Sequence, residues 1–231
     1  MAAIAVVNAP SRTNAGSQMR IIGGKWRSRR IEFPEGPGTR PMPDRMREAV
    51  FDILASRFGS PGGLPQIDVA DLFAGSGSLG LEAISRGAAG CDFVERRKPA
   101  LDVLRRNLVG LESDETCRVV AGNAWTVSLN TPRPTGAYSL IFADPPYRDA
   151  RDTSRTGRVG RLLADLYRSG WADDDTTVAL HHEARVLYVP DDRAWWRVCD
   201  HRLYGSSGLT LMTGRAGEND GDEAADADQA D

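Results

Sequence analysis

The segment Asp71-Leu-Phe-Ala-Gly75-Ser-Gly77-Ser-Leu-Gly80 decides the predicted fold. It follows an apolar run at residues 67–73, which predicts a buried strand, and it leads into a helical pattern at residues 79–86. Glycines at this spacing let the backbone turn sharply and approach a ligand closely at the start of the helix. The spacing alone also suits a dehydrogenase, or a turn that binds nothing, so the choice of ligand depends on the surrounding residues.

Strand and helix patterns alternate on the C-terminal side of this turn. Further strands are predicted at residues 90–95, 118–121, 139–144, 176–182, 195–201 and 209–213, and helices at residues 99–108 and 159–168. This alternation predicts an α/β, Rossmann-like domain with a mostly parallel seven-stranded sheet and helices on both faces. A short Gly-Ser-Ser-Gly turn joins the last two strands, so one antiparallel strand is expected at that end.

Four regions are expected along the chain. Residues 1–19 are small and polar without periodicity, which predicts a disordered tail. Residues 20–60 form a basic N-terminal extension, predicted as a hairpin and a helix with Asp44 as its N-cap. Residues 61–215 form the main domain. Residues 216–231 carry seven acidic residues and no Lys or Arg, which predicts a second disordered tail.

The composition narrows the class of protein. The formal net charge is −3, but residues 1–215 carry 29 basic and 25 acidic side chains, so the body of the protein is mildly basic. No run approaches the roughly 18 apolar residues that span a bilayer, and we expect no membrane partner. The three cysteines are widely spaced without a CxxC pair, which predicts a cytoplasmic protein with no disulfide framework and no metal site.

Two features of the glycine turn favour S-adenosylmethionine as its ligand. Asp71 stands at the strand end, where a carboxylate can accept a hydrogen bond from an ammonium group, and the turn contains no Arg or Lys for a pyrophosphate. The turn residues expected to contact the cofactor are Phe73, Ala74, Gly75 and Gly77.

Two later strand ends complete the predicted cofactor site. Glu95 stands 24 residues after Asp71 at the end of a predicted strand, where an acid can accept both ribose hydroxyls. Asn123 and Ala124 follow the third strand and are expected beside the adenine ring, although Asp is more usual than Asn at this position.

Asp144-Pro145-Pro146-Tyr147 follows the fourth predicted strand and is the sharpest chemical signal in the chain. The prolines stiffen the turn and donate no backbone hydrogen bond, so the Asp144 carboxylate and the Pro145 carbonyl can both face a substrate. Two acceptors can bind both hydrogens of an exocyclic amine on a nucleic-acid base and stabilise the positive charge that develops there. Tyr147 offers a ring on which the base can stack, and Asp144 is also expected to lie against the cofactor.

These motifs resemble a known family. The tetrapeptide after a glycine turn is similar to the amino-methyltransferases. Three segments together are similar to the RsmD family over about residues 20–214: Arg20-Ile-Ile-Gly-Gly-Lys-Trp26-Arg, Thr39-Arg-Pro-Met-Pro-Asp44-Arg-Met-Arg-Glu48 and the glycine turn. The resemblance implies a class I methyltransferase that uses S-adenosylmethionine to methylate N2 of guanine 966 in 16S rRNA. A 30S subunit or an assembly intermediate is the expected form of that substrate. The departures are Met42-Pro43, where Thr is commoner, and Asn123.

The basic extension is the predicted RNA-binding surface, because phosphate contacts need Lys and Arg. Trp26 can either stack on a base or pack the hairpin against the core, and the sequence does not decide. The expected RNA-binding residues are Arg20, Lys25, Trp26, Arg27, Arg29, Arg30, Arg40 and Arg45. Arg40 and Asp44 are also expected near the mouth of the active site.

Three other functions are compatible with the same sequence features. An adenine-N6 methyltransferase would use the same tetrapeptide, although residues 1–66 are short for a separate DNA-recognition domain. A non-catalytic RNA-binding factor could keep the same fold, and a nicotinamide dehydrogenase could keep the glycine turn. For side chains outside these motifs we expect ordinary packing: His181 and His182 at a strand end, and one of Trp195 and Trp196 in the core.

Overall fold

The computed structural model describes residues 19–34, 42–113, 115, 117–126, 136–152, 154, 156–186 and 195–214. The acidic tail, residues 1–18 and Arg40 lie outside the described residues. Met19, which the sequence placed in the N-terminal tail, is instead the first residue of a strand.

Seven strands form the main sheet in the order β5-β4-β3-β6-β7-β9-β8. β9 pairs antiparallel with both β7 and β8, and the other pairs are parallel, which confirms the predicted fold class. The strands of this sheet are β3 (Asp68–Leu72), β4 (Gly90–Glu95), β5 (Cys117–Ala121), β6 (Leu140–Ala143), β7 (Thr177–Glu183), β8 (Trp196–Tyr204) and β9 (Ser207–Gly214).

Within the described residues, four α-helices belong to two cores, one on each face of the sheet. Successive residues of β6 alternate between them: Leu140 and Phe142 join the core that contains α1, α2 and α3, whereas Ile141 joins the core of α4. The helices are α1 (Asp44–Arg57), α2 (Ser78–Ser85), α3 (Lys98–Gly110) and α4 (Arg158–Arg168).

The N-terminal extension begins with a small antiparallel sheet of β1 (Met19–Arg20) and β2 (Arg30–Ile31). Ile21 and Trp26, which lie between these strands, are buried in the same core as α2. Because the extension shares this core, it packs directly against the main domain.

The start of α1 differs in one detail from the prediction. Asp44 is the first helical residue rather than the N-cap, which is Pro43, and no side chain caps this end. The Asp44 carboxylate instead accepts hydrogen bonds from Arg20 and Arg47, at 2.9 and 3.0 Å.

Candidate active site

The glycine turn joins β3 to α2 through three residues with positive φ. Phe73, Gly75 and Gly77 have φ values of 63°, 56° and 82°. The positive φ favours glycine at position 77, and a Cβ there would lie 2.4 Å from Cδ1 of the buried Leu104, whose side chain would have to shift. The turn therefore keeps its backbone close to the carboxyl ends of the neighbouring strands, where α/β sheets bind their ligands.

Asp71 is buried beneath this turn. It is 2% exposed, and its Oδ2 accepts a hydrogen bond of 2.9 Å from the backbone N–H of Gly80. The pKa of Asp71 is raised to about 7, mainly by burial and to a smaller extent by the nearby carboxylates of Asp144 and Glu95, against the opposing effect of the Gly80 N–H. A cationic group placed nearby would favour the ionised form of this carboxyl.

Glu95 lies at the end of β4, as predicted. Its Oε1 accepts from the backbone N–H groups of Arg96 and Arg97 at 2.9 and 2.7 Å, and its Oε2 accepts from Gly75 at 3.0 Å. These three donors fix the carboxylate against the glycine turn. Oε2 accepts only one of them, so it keeps capacity for a further donor such as a hydroxyl.

Aromatic side chains line the region beyond β5. Asn123 is exposed and Ala124 is buried. Trp125 packs edge-on against Phe73 with ring centroids 4.8 Å apart, and the Arg158 guanidinium lies 5.4 Å from the centroid of the Trp125 ring. The sequence reasoning missed Trp125, because nothing in the primary sequence shows that it contacts the glycine turn.

The Asp-Pro-Pro-Tyr motif follows β6 at the same edge of the sheet. The backbone N–H of Asp144 lies 3.4 Å from the carbonyl oxygen of Leu72, at the end of β3. The side chain of Asp144 is 34% exposed, whereas Pro145 is buried. The structure thus brings together the ends of β3, β4 and β6 and the predicted residues Asp71, Glu95 and Asp144.

His181 joins this motif from β7. Its Nδ1 lies 2.7 Å from Oδ1 of Asp144, and its Nε2 lies 3.2 Å from the hydroxyl of Tyr147. The sequence predicted only ordinary packing at a strand end for His181. The residue is buried, as that predicts, but it also contacts Asp144. The same prediction holds for His182, which is 1% exposed, bonds to Thr210, and has its pKa lowered by burial.

The predicted RNA surface needs one correction. Trp26 is 8% exposed in the core, so the packing alternative is right and the prediction of RNA contact by Trp26 is wrong. Arg47 lies in the same basic stretch but was not among the predicted RNA-binding residues; it is fully buried, and burial lowers its pKa. The other described residues of the predicted surface are exposed: Arg20, Lys25, Arg27, Arg29, Arg30 and Arg45.

Two of these exposed arginines bond within the protein. Arg20 pairs with Asp44 at 2.9 Å, and Arg29 donates to the carbonyl of Gly110 at 2.7 Å. Arg27, Arg30 and Arg45 have no ion-pair partner among the described residues, so they are the better placed to bind phosphates.

Within the described part of the chain, no group of three or more His, Cys, Asp or Glu side chains has the arrangement of a metal site. A search of the same residues finds no helix with the length and hydropathy that crossing a membrane requires.

Comparison with known proteins identifies the family. The family model described as "Conserved hypothetical protein 95" matches residues 19–213. Ribosomal RNA small subunit methyltransferase D of Escherichia coli is 33% identical over 214 residues, which are 92% of this chain and 98% of that protein. The chain belongs to this family, the RsmD family.

Two further similar proteins also carry methyltransferase names. A Bacillus subtilis protein provisionally named as an rRNA methyltransferase is 35% identical, over 85% of this chain and all of the relative. A solved Escherichia coli structure, whose methyltransferase assignment is provisional, superposes with a TM-score of 0.69 at 30% identity. That alignment covers 86% of this chain and 99% of the solved one. This member of the RsmD family is therefore a methyltransferase, and its reaction requires a methyl donor.

Proposed function

We propose that this protein transfers a methyl group from S-adenosylmethionine to N2 of guanine 966 in 16S rRNA, within a 30S subunit or an assembly intermediate in the cytoplasm. The observation that carries the proposal is the position of Asp144-Pro145-Pro146-Tyr147 at the carboxyl end of β6, beside the glycine turn. Relatives named as small-subunit rRNA methyltransferases support the substrate class.

The residues at the other strand ends fit S-adenosylmethionine. When bound, this cofactor supplies a methyl group on an electrophilic sulfonium. Asp71 and the turn residues Phe73, Ala74, Gly75 and Gly77 would hold its methionine part, where the buried carboxyl of Asp71 suits an ammonium group. Glu95 would accept from the ribose through Oε2, and Asn123 and Ala124 would lie beside the adenine.

Asp144 and Pro145 would position the guanine amine. The Asp144 side chain is 34% exposed, so its carboxylate can accept one amine hydrogen, and the Pro145 carbonyl would accept the other. Both acceptors stabilise positive charge that develops on the nitrogen, which is an electrostatic contribution and needs no strong base. Tyr147 would provide a stacking surface for the base, and its hydroxyl is already held by His181 and Ser207.

The exposed basic residues of the extension would contact rRNA phosphates. These contacts orient the substrate without reading its sequence. Arg27, Arg30 and Arg45 are the residues whose guanidinium groups are most available, whereas Arg20 and Arg29 would first have to leave Asp44 and Gly110. Arg40 is proposed from the sequence alone.

The test is methyl transfer from labelled S-adenosylmethionine to naked 16S rRNA and to 30S subunits that lack the modification, followed by digestion to nucleosides. We expect label in N2-methylguanosine, and the better acceptor would identify the physiological substrate. Label in N6-methyladenosine would replace the proposed target, and no transfer despite cofactor binding would overturn the substrate class. Asp144→Ala is the matched variant, with an expected loss in turnover of about 100-fold or more.

A further inference from the structure

His181 lies in a chain of hydrogen bonds that ends on the proposed catalytic carboxylate. Its Nδ1 is 2.7 Å from Oδ1 of Asp144, its Nε2 is 3.2 Å from the hydroxyl of Tyr147, and that hydroxyl is 2.9 Å from Oγ of Ser207. The rings of His181 and Tyr147 meet edge-on, with centroids 5.5 Å apart. One imidazole therefore contacts both polar side chains of the Asp-Pro-Pro-Tyr motif.

Strand register places His181 at this point. β6 and β7 are parallel neighbours with Ala143 paired to Leu180, so Asp144 and His181 are the next residues along the two strands. The antiparallel pairing of β7 with β9 brings Ser207 beside Glu183, where its hydroxyl reaches Tyr147. Strand pairing thus places His181 and Ser207, and Tyr147 reaches both of them from a short 3-10 turn, Tyr147–Asp149, that follows the two prolines.

The chemistry of the partners fixes the direction of the key hydrogen bond. An ionised carboxylate only accepts, so Nδ1 of His181 must carry the hydrogen that it shares with Asp144. In the neutral imidazole Nε2 is then an acceptor, and Tyr147 donates to it while accepting from Ser207. In this series of three hydrogen bonds, each N–H or O–H group donates to one acceptor.

Burial separates the two sides of the Asp144 carboxylate. The side chain of His181 is 6% exposed, whereas that of Asp144 is 34% exposed. Oδ1 faces His181, and Oδ2 has no hydrogen-bond partner among the described residues. The imidazole therefore occupies one oxygen from the protein side and leaves the other to a substrate.

We infer that His181 is a positioning residue, which holds the Asp144 carboxylate with one oxygen directed to the substrate amine and holds the Tyr147 ring at the base-binding position. This assignment rests on the proposed function of Asp144. A carboxylate without this bond can rotate away from the productive geometry, and displacement of about 1 Å in an active site can cost about 100-fold in rate. We expect the larger effect in turnover, because His181 has no hydrogen bond, among the described residues, with the proposed cofactor-binding residues at the ends of β3, β4 and β5 and reaches the cofactor site only through Asp144.

Two amide substitutions separate the contacts of the two ring nitrogens. His181→Asn places an amide nitrogen near the position of Nδ1 and can still donate to Asp144, whereas His181→Gln places it near Nε2 and loses that bond. We expect His181→Asn to keep single-turnover methyl transfer within about threefold of the wild type, the size of one modest hydrogen bond. We expect His181→Gln to lower it about 10- to 100-fold, with smaller changes in the KM for RNA, because Ser207 still holds Tyr147, and in the calorimetric Kd for S-adenosylmethionine.

The controls distinguish failure of this inference from failure of the proposed function. His201→Asn is the matched control, because His201 contacts Thr210 and the ring of His182 but not the motif, and it should leave turnover unchanged. Equal turnover in the Asn and Gln variants at His181, whether high or low, would overturn the inference. Rates are divided by the fraction of protein that binds S-adenosylmethionine, so misfolding cannot imitate the effect. If Asp144→Ala keeps wild-type turnover, the proposed role of Asp144 fails whatever the result at His181.

Discussion

The buried carboxyl of Asp71 has two roles: it accepts a hydrogen bond from the glycine turn, and it is proposed to bind the cofactor. Its pKa in the folded protein is about 7, mainly because burial disfavours the charged form, against an ordinary value of 3.8. Between these values the unfolded chain binds fewer protons than the folded protein at this residue. The free energy of unfolding therefore falls as the pH rises from about 4 through about 7, and the loss is complete above that range.

Asp71→Asn should remove this pH dependence. The amide keeps an oxygen to accept from Gly80, but it has no charge to desolvate, so the variant should gain stability relative to the wild type between pH 5 and 8. The upper bound of the gain is about 4 kcal/mol, and the buried amide N–H groups will reduce it. Urea unfolding at pH 5, 6, 7 and 8 measures the difference, with Asp102→Asn on the exposed face of α3 as the control. The same pH slope in wild type and Asp71→Asn would exclude Asp71 as its source.

Local motifs made the site residues on the strand ends predictable, whereas residues brought in by strand pairing escaped notice. Asp71, Glu95 and Asp144 each stand at a recognisable end of a strand, and parallel strands end at one edge. His181 has no motif of its own, because its contact with Asp144 depends on the register between β6 and β7. Trp26 does lie in a recognisable motif, but the motif alone was not enough to predict its role, since an aromatic residue among arginines is equally suited to stacking on a base and to burial in the core.

At the scale of elements, the periodicity located every strand of the main sheet to within a few residues. The strand at residues 90–95 has the predicted bounds, and the helix predicted at residues 99–108 extends over residues 98–110. The start of α1 was less predictable, because an Asp side chain can either cap a helix or form ion pairs. Arg20 and Arg47 both donate hydrogen bonds to the Asp44 carboxylate, and only the tertiary structure shows that they lie close to it.

The β1–β2 hairpin should contribute electrostatic affinity for RNA. Arg27 and Arg30 are exposed and lack ion-pair partners among the described residues. The double substitution to Gln should weaken RNA binding and reduce the slope of log K against log salt by about 0.7 for each lost phosphate contact. Arg168→Gln at the end of α4, the helix of the opposite core, is the matched control. Titrations at several salt concentrations measure the slope; a slope equal to that of the control would show that these arginines do not meet phosphate.

At the scale of the whole molecule, the boundary predicted near residue 60 does not coincide with a break in packing. Ile21 and Trp26 share a core with α1, α2 and the sheet. Polar contacts also join the extension to the main domain, because Ser85 on α2 accepts from the backbone of Trp26 and donates to that of Gly23. An extension joined in this way is expected to unfold together with the main domain rather than before it.

Glu82 tests this cooperativity, because it lies fully buried where the extension meets α2. Its two oxygens accept from the backbone N–H groups of Ile22 and Gly23 and from Arg86, each at 2.7 Å, and Arg47 lies within 3.9 Å. Glu82→Gln removes the charge that compensates two buried guanidinium groups, so we expect a loss of about 3–5 kcal/mol in the free energy of unfolding. Exposed Glu48→Gln on α1 should change it little.

Calorimetry compared with van't Hoff analysis decides whether the Glu82 variant still unfolds in one step. Because the extension and the main domain share one core, the single transition should move to lower temperature as a whole, and S-adenosylmethionine binding should be lost at the same temperature as the hairpin contacts. Two resolved transitions, with only the first one lowered, would instead make residues 20–60 a separate folding unit. In that case the extension could detach while the methyltransferase sheet stayed folded.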